Sequence, residues 1–511
     1  MKRNIPQSIA YYEQEVAYRT NHTQAPYGFP QLSTSPITFE LGEKTQAVSY
    51  GGLALIHQLV NEIGLIDVLN SVPILKLHLP YWESDHILNI AYNIFFGGTA
   101  LEHIEYRRND PIYLNMLGTH SIPDPTTTGD FLRRYDAIAI DKLQDAINTV
   151  RLKVWQRQVT SFFKEAFVDL DGTIAPTGGE CKQGIDISYD GQWGYHPLIV
   201  SLANTKEILF IKNRSGNRPS YEDAYIYIDK SIILLREAGF QTIRFRGDTD
   251  FSQTKHLDRW DEDGVFFVFG IDAMPNLVNI ADSLENTEWE RLVRLPKYEV
   301  QTTPIGKREN VKEKIVEERG YLNLVLEYED IAVVNYRPVA CKRDYRLVIL
   351  RKTITVEKGQ ELLLPKVRYF FYITNDCDST PSEIVFESNA RCNQENLIAQ
   401  LKSGMKALHC PSNTLDANWM YMVSVSLAWS LKAWLALWSA SDSRDKERQQ
   451  RRERLLKMEF PTFLQAMINI PAQIVRSGRR TVVRLLSINY WTDTFFELVD
   501  SLGSVRRVQR E

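Results

Sequence analysis

The sequence predicts an α/β protein: a mixed sheet preceded by a helical domain, carrying a β-rich insertion, and followed by a second helical region. Three observations lead there. Apolar residues recur at three-to-four spacing between about 51 and 160. From about 161 short β-branched and aromatic runs alternate with a helical stretch, and from about 290 to 375 only strand-like runs occur. Helical patterning returns at Pro381. With 511 residues and 44% apolar content, the chain can bury two or three cores.

The elements follow in order. Residues 1–50 are polar and dotted with proline, and read as an N-terminal arm without the apolar core of a targeting segment. The helical domain, 51–160, contains GGLALIHQLVNEIGLIDVLNSV, ESDHILNIAYNIFFGGTALEHIEYRR and GDFLRRYDAIAIDKLQDAINTVRLKVWQRQV. Between its second and third helices lie Asp, Pro and Thr breakers, after which Arg133 and Arg134 begin a basic helix that could read DNA or simply be a solvated helix end. A catalytic domain is expected over 161–410. Its strands are AFVDL, HPLIVSLA, EILFIKN, TIRFRGD and VFFVFGI, with the helix SYEDAYIYIDKSIILLREAGF between the third and fourth. At 380, Thr-Pro-Ser-Glu supplies a capping box and a proline at the first helical position, so a single helix is expected to run to about Gly404.

The C-terminal region, 411–511, is expected to be helical. It opens on WMYMVSVSLAWSLKAWLALW (419–438), long enough for a membrane span but broken by Lys432 and three serines, and therefore read as a buried amphipathic helix. Residues 441–511 hold 14 Lys/Arg against 9 Asp/Glu, a locally basic stretch in a chain whose formal net charge is −4. Any nucleic-acid contact must come from such local patches. The five scattered cysteines include no C-x-x-C pair, which argues against a disulfide framework and a zinc site and fits a reducing cytoplasm.

Two strand ends carry paired carboxylates: Asp169-Leu170-Asp171-Gly172-Thr173 and Arg246-Gly247-Asp248-Thr249-Asp250. A strand end is a rigid platform for a metal ligand or a nucleophile. The D-x-D-G-T pattern suits a haloacid-dehalogenase-like phosphatase, with Asp169 as nucleophile, or a ribonuclease H-like nucleotidyl transferase. The phosphatase also wants a Thr- or Ser-ending strand before its last acidic motif. The best candidate here, Phe371-Tyr372-Ile373-Thr374, follows Asp248 instead. In the capped helix, Glu395 and Lys402 fall about 40° and 20° from Arg391 at the helical turn angle, so the three share one edge. Leu397, Leu401, Met405 and Leu408 form the adjacent packing stripe. Alone, Arg391 and Glu395 would also fit an ordinary i,i+4 ion pair.

The spacing R-(3)-E-(6)-K resembles the Y-R-E-K signature of bacterial insertion-sequence transposases, and residues 50–440 resemble the DDE group 1 branch of those enzymes. The likeness includes D-L-D-G-T, Gly194-Tyr195-His196-Pro197-Leu198, R-G-D-x-x-F, the β-rich insertion and separations of 77 and 147 residues between the acidic positions. Ser388 stands where the signature has tyrosine. The resemblance implies a ribonuclease H-like fold with Asp171 as the ligand shared by two Mg²⁺ ions, which Mn²⁺ could replace. Asp248 and Glu395 would each hold one of the ions. It further implies phosphate contacts by Arg391 and Lys402, double-stranded DNA as partner, a homodimer in the DNA complex, and a cytoplasmic, nucleoid-associated protein. A DNA-binding relative without catalysis shares the same features. Asp169 and Asp250 rival Asp171 and Asp248 as ligands, since strand alternation puts residues two apart on one face. His196 is a candidate supporting residue beside the site or, more simply, a structural histidine capping a strand start, and Trp289 is a candidate for stacking on a flipped base or, more simply, a core residue.

Overall fold

The structure, a computed structural model, describes residues 46–78, 80–294, 324–357, 360–438, 446–477 and 480–502, together with Gln14 and Ala17. Most of the polar arm therefore lies outside the described residues. Contacts divide the chain into two units: Met1–Val159 with Gly179–Gln183 and Ala399–Glu511, and Thr160–Gly178 with Gly184–Ile398.

The first unit is helical. Side-chain caps start its helices where the sequence places Asp-Pro or Asp before an apolar run. Asp110 accepts from Ile112 and Tyr113 N–H ahead of Pro111–Leu117, Asp124 from Thr127 N–H ahead of Pro125–Leu132, and Asp136 from Ala139 N–H ahead of Ala137–Trp155. The last two caps correct the sequence reading. The expected single helix around Arg133 is two helices, and Arg133 and Arg134 sit in the turn that ends the first rather than at the start of a helix.

Leu415–Trp438 crosses this unit with every residue from Ala417 to Trp438 buried. It is long and apolar enough to cross a membrane, yet that apolar window is covered by protein throughout. The sequence suggests a buried amphipathic helix; the helix is buried but not amphipathic, since from Ala417 to Trp438 it has no solvent face. Lys432 is accommodated by donating to the Leu456 carbonyl at 3.1 Å and lying 4.0 Å from the Trp429 ring.

The C-terminal region also departs from the all-helical expectation. Ala472–Ser477 and Arg480–Leu485 form an antiparallel hairpin on Ala47–Val48. The β-branched residues Ile474, Val475, Val482 and Val483, which pair across it, favour strand.

The second unit is built on a nine-stranded sheet. In chain order it contains β1 (Glu165–Gly172), β2 (Leu198–Leu202), β3 (Glu207–Lys212), α1 (Ala224–Ala238), β4 (Thr242–Gly247), α2 (Thr254–Glu262), β5 (Phe266–Ile271) and α3 (Pro275–Ser283). There follow β6 (Glu290–Arg291), β7 (Leu324–Tyr336), β8 (Tyr345–Glu357), β9 (Gln360–Thr374), α4 (Pro381–Asn389) and α5 (Cys392–Ala399). The strand order is β6-β7-β8-β9-β5-β4-β1-β2-β3. β1, β4 and β5 run parallel, and every other pairing is antiparallel. Parallel neighbours need crossover connections: α2 lies in the one from β4 to β5, while α1 carries the chain from β3, at the edge of the sheet, back to β4. α1 stops at Gly239, whose φ of 97° suits glycine.

The strands of the expected insertion extend this same sheet, because β9 pairs with β5 from Phe371↔Ile271 to Thr374↔Val268. Val348, Leu350, Ile331 and Val268 then make one apolar face, covered by Ile384 and Val385 of α4.

Candidate active site

β1 and β4 pair in parallel with Asp169 opposite Arg246. Arg246 Nε and Nη2 hold the two Asp169 oxygens at 2.7 and 3.0 Å, and Asp169 is 1% exposed. Neither oxygen is open to a substrate, so Asp169 is not placed to act as a nucleophile. It also separates the two candidates in D-L-D: Asp169 is committed to a buried pair, whereas Asp171, two residues on, reaches the open strand end.

Asp171 and Asp248 meet at that end. Arg391 Nη1 lies 3.6 Å from Asp171 Oδ2 and 3.7 Å from Asp248 Oδ2. Burial pushes Asp171 up to about 7; Arg391 opposes the rise, and the negative charges of Asp248 and Glu395 add to it. Asp248 is raised for the same first reason, again opposed by Arg391 and reinforced by Asp250 and Asp272. Asp248 also accepts from Asp250 N–H at 3.1 Å and caps the turn Thr249–Phe251. Asp250 itself faces a second cleft of 450 Å³ beside Tyr221, Tyr225 and His256.

The helix carrying Glu395 is fixed by its neighbour. Gln394, 2% exposed, donates through Nε2 to the carbonyls of Asp169 at 3.0 Å and Ile199 at 3.1 Å, tying the first turn of α5 to β1 and β2. Exposed Glu395 follows it directly. The capping box forms as expected, with Thr380 N–H donating to Glu383 Oε2 at 2.7 Å. The single helix does not. α4 ends at Asn389, Arg391 stands in the break before α5, and Gln400–Gly404 is a π-helical turn carrying Lys402. The turn-angle argument for a common edge of Arg391, Glu395 and Lys402 assumed one unbroken helix and does not carry across these interruptions, although Leu397, Ile398, Leu401, Met405 and Leu408 are buried.

A cleft of 380 Å³ opens beside this end, lined by Asp248, Thr249, Asp272, Tyr369, Tyr372, Ser388 and Arg391, among others. Ser388, at the signature's tyrosine position, faces it together with Tyr369 and Tyr372 of β9. Gly270 keeps its floor close, since a Cβ there would stand 3.0 Å from Thr249 N and 3.2 Å from the Asp248 carbonyl carbon. Trp289 is half-buried, stacks on Tyr369 at 6.1 Å, and has the Arg351 guanidinium 4.1 Å from its ring centroid. Both contacts attach it to the sheet. His196 holds the Arg218 carbonyl through Nδ1 at 2.7 Å and stands against Gly172, where a Cβ would come within 2.7 Å of Nε2. Lys402, Arg133 and Arg134 belong to the helical unit, where Arg133 pairs with Asp130.

The site thus gathers Asp171, Asp248, Glu395 and Arg391. Sequence reasoning missed Arg246, Gln394, Asp272 and Gly270. Arg246 had a signal: R-G-D repeats the two-residue step of D-L-D on the neighbouring strand. Among the described residues, no three His, Cys, Asp or Glu side chains converge as closely as one bound ion requires. Their chemistry nonetheless suits a divalent cation: the donors are all oxygens, and Asp171 and Asp248 are part-buried carboxylates, raised first by burial and then by neighbouring carboxylates, whose charged forms a cation would favour.

The transposase DDE domain group 1 family matches residues 33–507. The chain belongs to this family. Its members are transposases that work with divalent metal ions, and the reaction they carry out is polynucleotidyl transfer. No curated protein matches this transposase-family chain. One similar solved structure is a piggyBac transposase synaptic complex with hairpin DNA, seen by cryo-electron microscopy. It is 9% identical over 82% of this chain and 81% of that one, with a TM-score of 0.37, a distant likeness.

Proposed function

We propose that this chain is a DNA transposase that binds the terminal inverted repeats of its own element and catalyses strand cleavage and strand transfer, with Asp171, Asp248 and Glu395 as its catalytic carboxylates. The observation that carries the reading is the meeting of Asp171 and Asp248 at one Arg391 guanidinium, next to the helix that bears Glu395. The sheet supports it too: the run β3-β2-β1-β4-β5, three antiparallel strands followed by two parallel ones, is the arrangement expected of a ribonuclease H-like core.

In this proposal Asp171, Asp248 and Glu395 would hold two Mg²⁺ ions, replaceable by Mn²⁺. The ions would supply activation of the attacking oxygen and stabilisation of the leaving oxygen. The chain's own residues do the positioning. Gln394 fixes the helix bearing Glu395 over β1, Gly270 allows the Asp248 turn to lie close to β5, and Arg391 and Lys402 offer charge to phosphates, Arg391 as a fork. The partners are double-stranded DNA at element ends and target, and a second copy of the chain in the DNA complex. Arg133, Arg134 and Trp289 are further candidate DNA contacts.

Incubation with duplex bearing the repeats that flank the gene, in Mg²⁺ or Mn²⁺, should give nicked or cleaved ends. Glu395→Ala should abolish cleavage while leaving end binding intact. Cleavage that survives in the Glu395 variant would sink the assignment.

A further inference from the structure

Arg391 and Arg246 both face strand carboxylates, but in different ways. Arg246 is locked to Asp169 by two hydrogen bonds at 2.7 and 3.0 Å. Arg391 stands 3.6 and 3.7 Å from one oxygen of each of two carboxylates, beyond ordinary hydrogen-bond length. It therefore sits against both without being clamped to either, one positive charge shared by two carboxylates. Its side chain is 23% exposed, and its backbone lies in the break between α4 and α5 rather than inside a helix.

As metal ligands, Asp171 and Asp248 would offer their carboxylate oxygens to a divalent ion. The guanidinium already occupies the neighbourhood of both. A dication and a guanidinium a few ångströms apart repel each other strongly in a partly desolvated site. A phosphate, by contrast, attracts the guanidinium and accepts its planar fork in two hydrogen bonds. Ion and guanidinium thus compete for the same two carboxylates, and DNA offers the guanidinium somewhere else to go.

We propose that Arg391 is a placeholder for the metal: without DNA its guanidinium sits against Asp171 and Asp248 and weakens divalent-ion binding, and a DNA backbone phosphate entering the 380 Å³ cleft draws it away and lets the ion load. This rests on the reading of Asp171 and Asp248 as metal ligands. It makes metal and DNA binding mutually reinforcing, because coupling between two ligands is reciprocal. Protein free of DNA then carries little metal, and the nuclease is silent until it is seated on its substrate.

The test is Mn²⁺ affinity of the full chain at pH 8, measured by calorimetry or by the electron-spin signal of free Mn²⁺, with no turnover involved. Arg391→Ala should bind Mn²⁺ at least about tenfold more tightly than the unmodified chain. Arg391→Lys, which keeps the charge, should stay close to the unmodified chain. Arg391→Gln gives the same reading as alanine should the alanine variant not fold. Duplex DNA carrying the flanking repeats should raise the affinity of the unmodified chain and leave that of the alanine variant unchanged. Equal Mn²⁺ affinities with and without the arginine overturn the placeholder while leaving the ligand assignment standing. Binding that is indifferent to Asp171→Asn in the Arg391→Ala background overturns the ligand assignment itself. An unmodified chain whose Mn²⁺ affinity does not respond to the DNA it binds overturns the displacement by phosphate.

Discussion

One face of β1 and β4 carries charged side chains at two-residue steps, and the two ends of that row are built differently. At the lower end Glu165 meets Arg244 at 2.6 Å and Asp169 meets Arg246 at 2.7 Å, with Asp376 on Arg244 at 2.7 Å. Each carboxylate there has a cation within hydrogen-bond reach. At the upper end two carboxylates, Asp171 and Asp248, share one arginine at 3.6 and 3.7 Å. The chemistry of the groups is the same; what differs is whether the neighbouring strand supplies an arginine. Where it does, the pair holds the sheet together. Where the strands run out, two carboxylates are left with one arginine between them, the kind of uncompensated charge that binding and catalytic sites concentrate.

The sharpest way to break this contrast is to remove one carboxylate from each end. Asp171→Ala should lower DNA cleavage by about three orders of magnitude or more, the several kcal/mol of charge stabilisation that a catalytic ion gives, with little change in melting temperature. Asp169→Ala should do the reverse in stability, destabilising by about 3–5 kcal/mol because Arg246 is left buried and unpaired. Denaturant unfolding of the two variants side by side checks both, and equal stability losses would show that the two ends are not distinct. Gln394→Ala removes two hydrogen bonds to buried carbonyls and should cost about 1–3 kcal/mol. Cleavage should fall with it, since Glu395 then rides on a looser turn, and a thermal melt with a cleavage assay on the same preparation reads both.

The smallest effect concerns pH at the lower end. Burial alone would raise the Asp376 carboxyl; hydrogen bonds from Ser379 and Arg244 outweigh it and hold it at about 2. An unfolded aspartate titrates near 3.9. Because the folded value is the lower one, the contribution of Asp376 is present in full above about pH 4 and is lost as pH falls through about 2. Asp376→Asn should flatten the acid-unfolding curve in that window, as followed by circular dichroism, and leave the curve above pH 5 unchanged in shape.

Much of the fold was legible because β-branched runs and breakers mark strands locally. β1, β2, β3, β4 and β5 each lie within a few residues of a predicted run. The break at Ala390 and Arg391 was not legible, since the stretch SNARCNQEN (388–396) holds no proline or glycine and the helix is interrupted without a local signal. The hairpin at 472–485 was hidden by its arginines, which read as a solvated helix face while the valines between them paired as strands. Within the site, the acidic positions were visible as strand-end motifs. Their partners were less so: Arg246 shows only as the two-residue step of R-G-D beside D-L-D, and Gln394 acts through long-range contacts to main-chain carbonyls, which a linear pattern does not encode.

The order of the strands has a consequence for synthesis. β5 acquires its outer neighbour only when β9 arrives, a hundred residues later in the chain, and the helix bearing Glu395 comes later still. The helical unit is likewise made of stretches from before 160 and after 398. Such long sequence separations slow assembly, because distant segments must meet before their contacts can repay the cost of closing the loop. A nascent chain emerging from the ribosome therefore presents Asp171 and Asp248 well before it presents Glu395, and the three carboxylates can be gathered only when most of the polypeptide has been made.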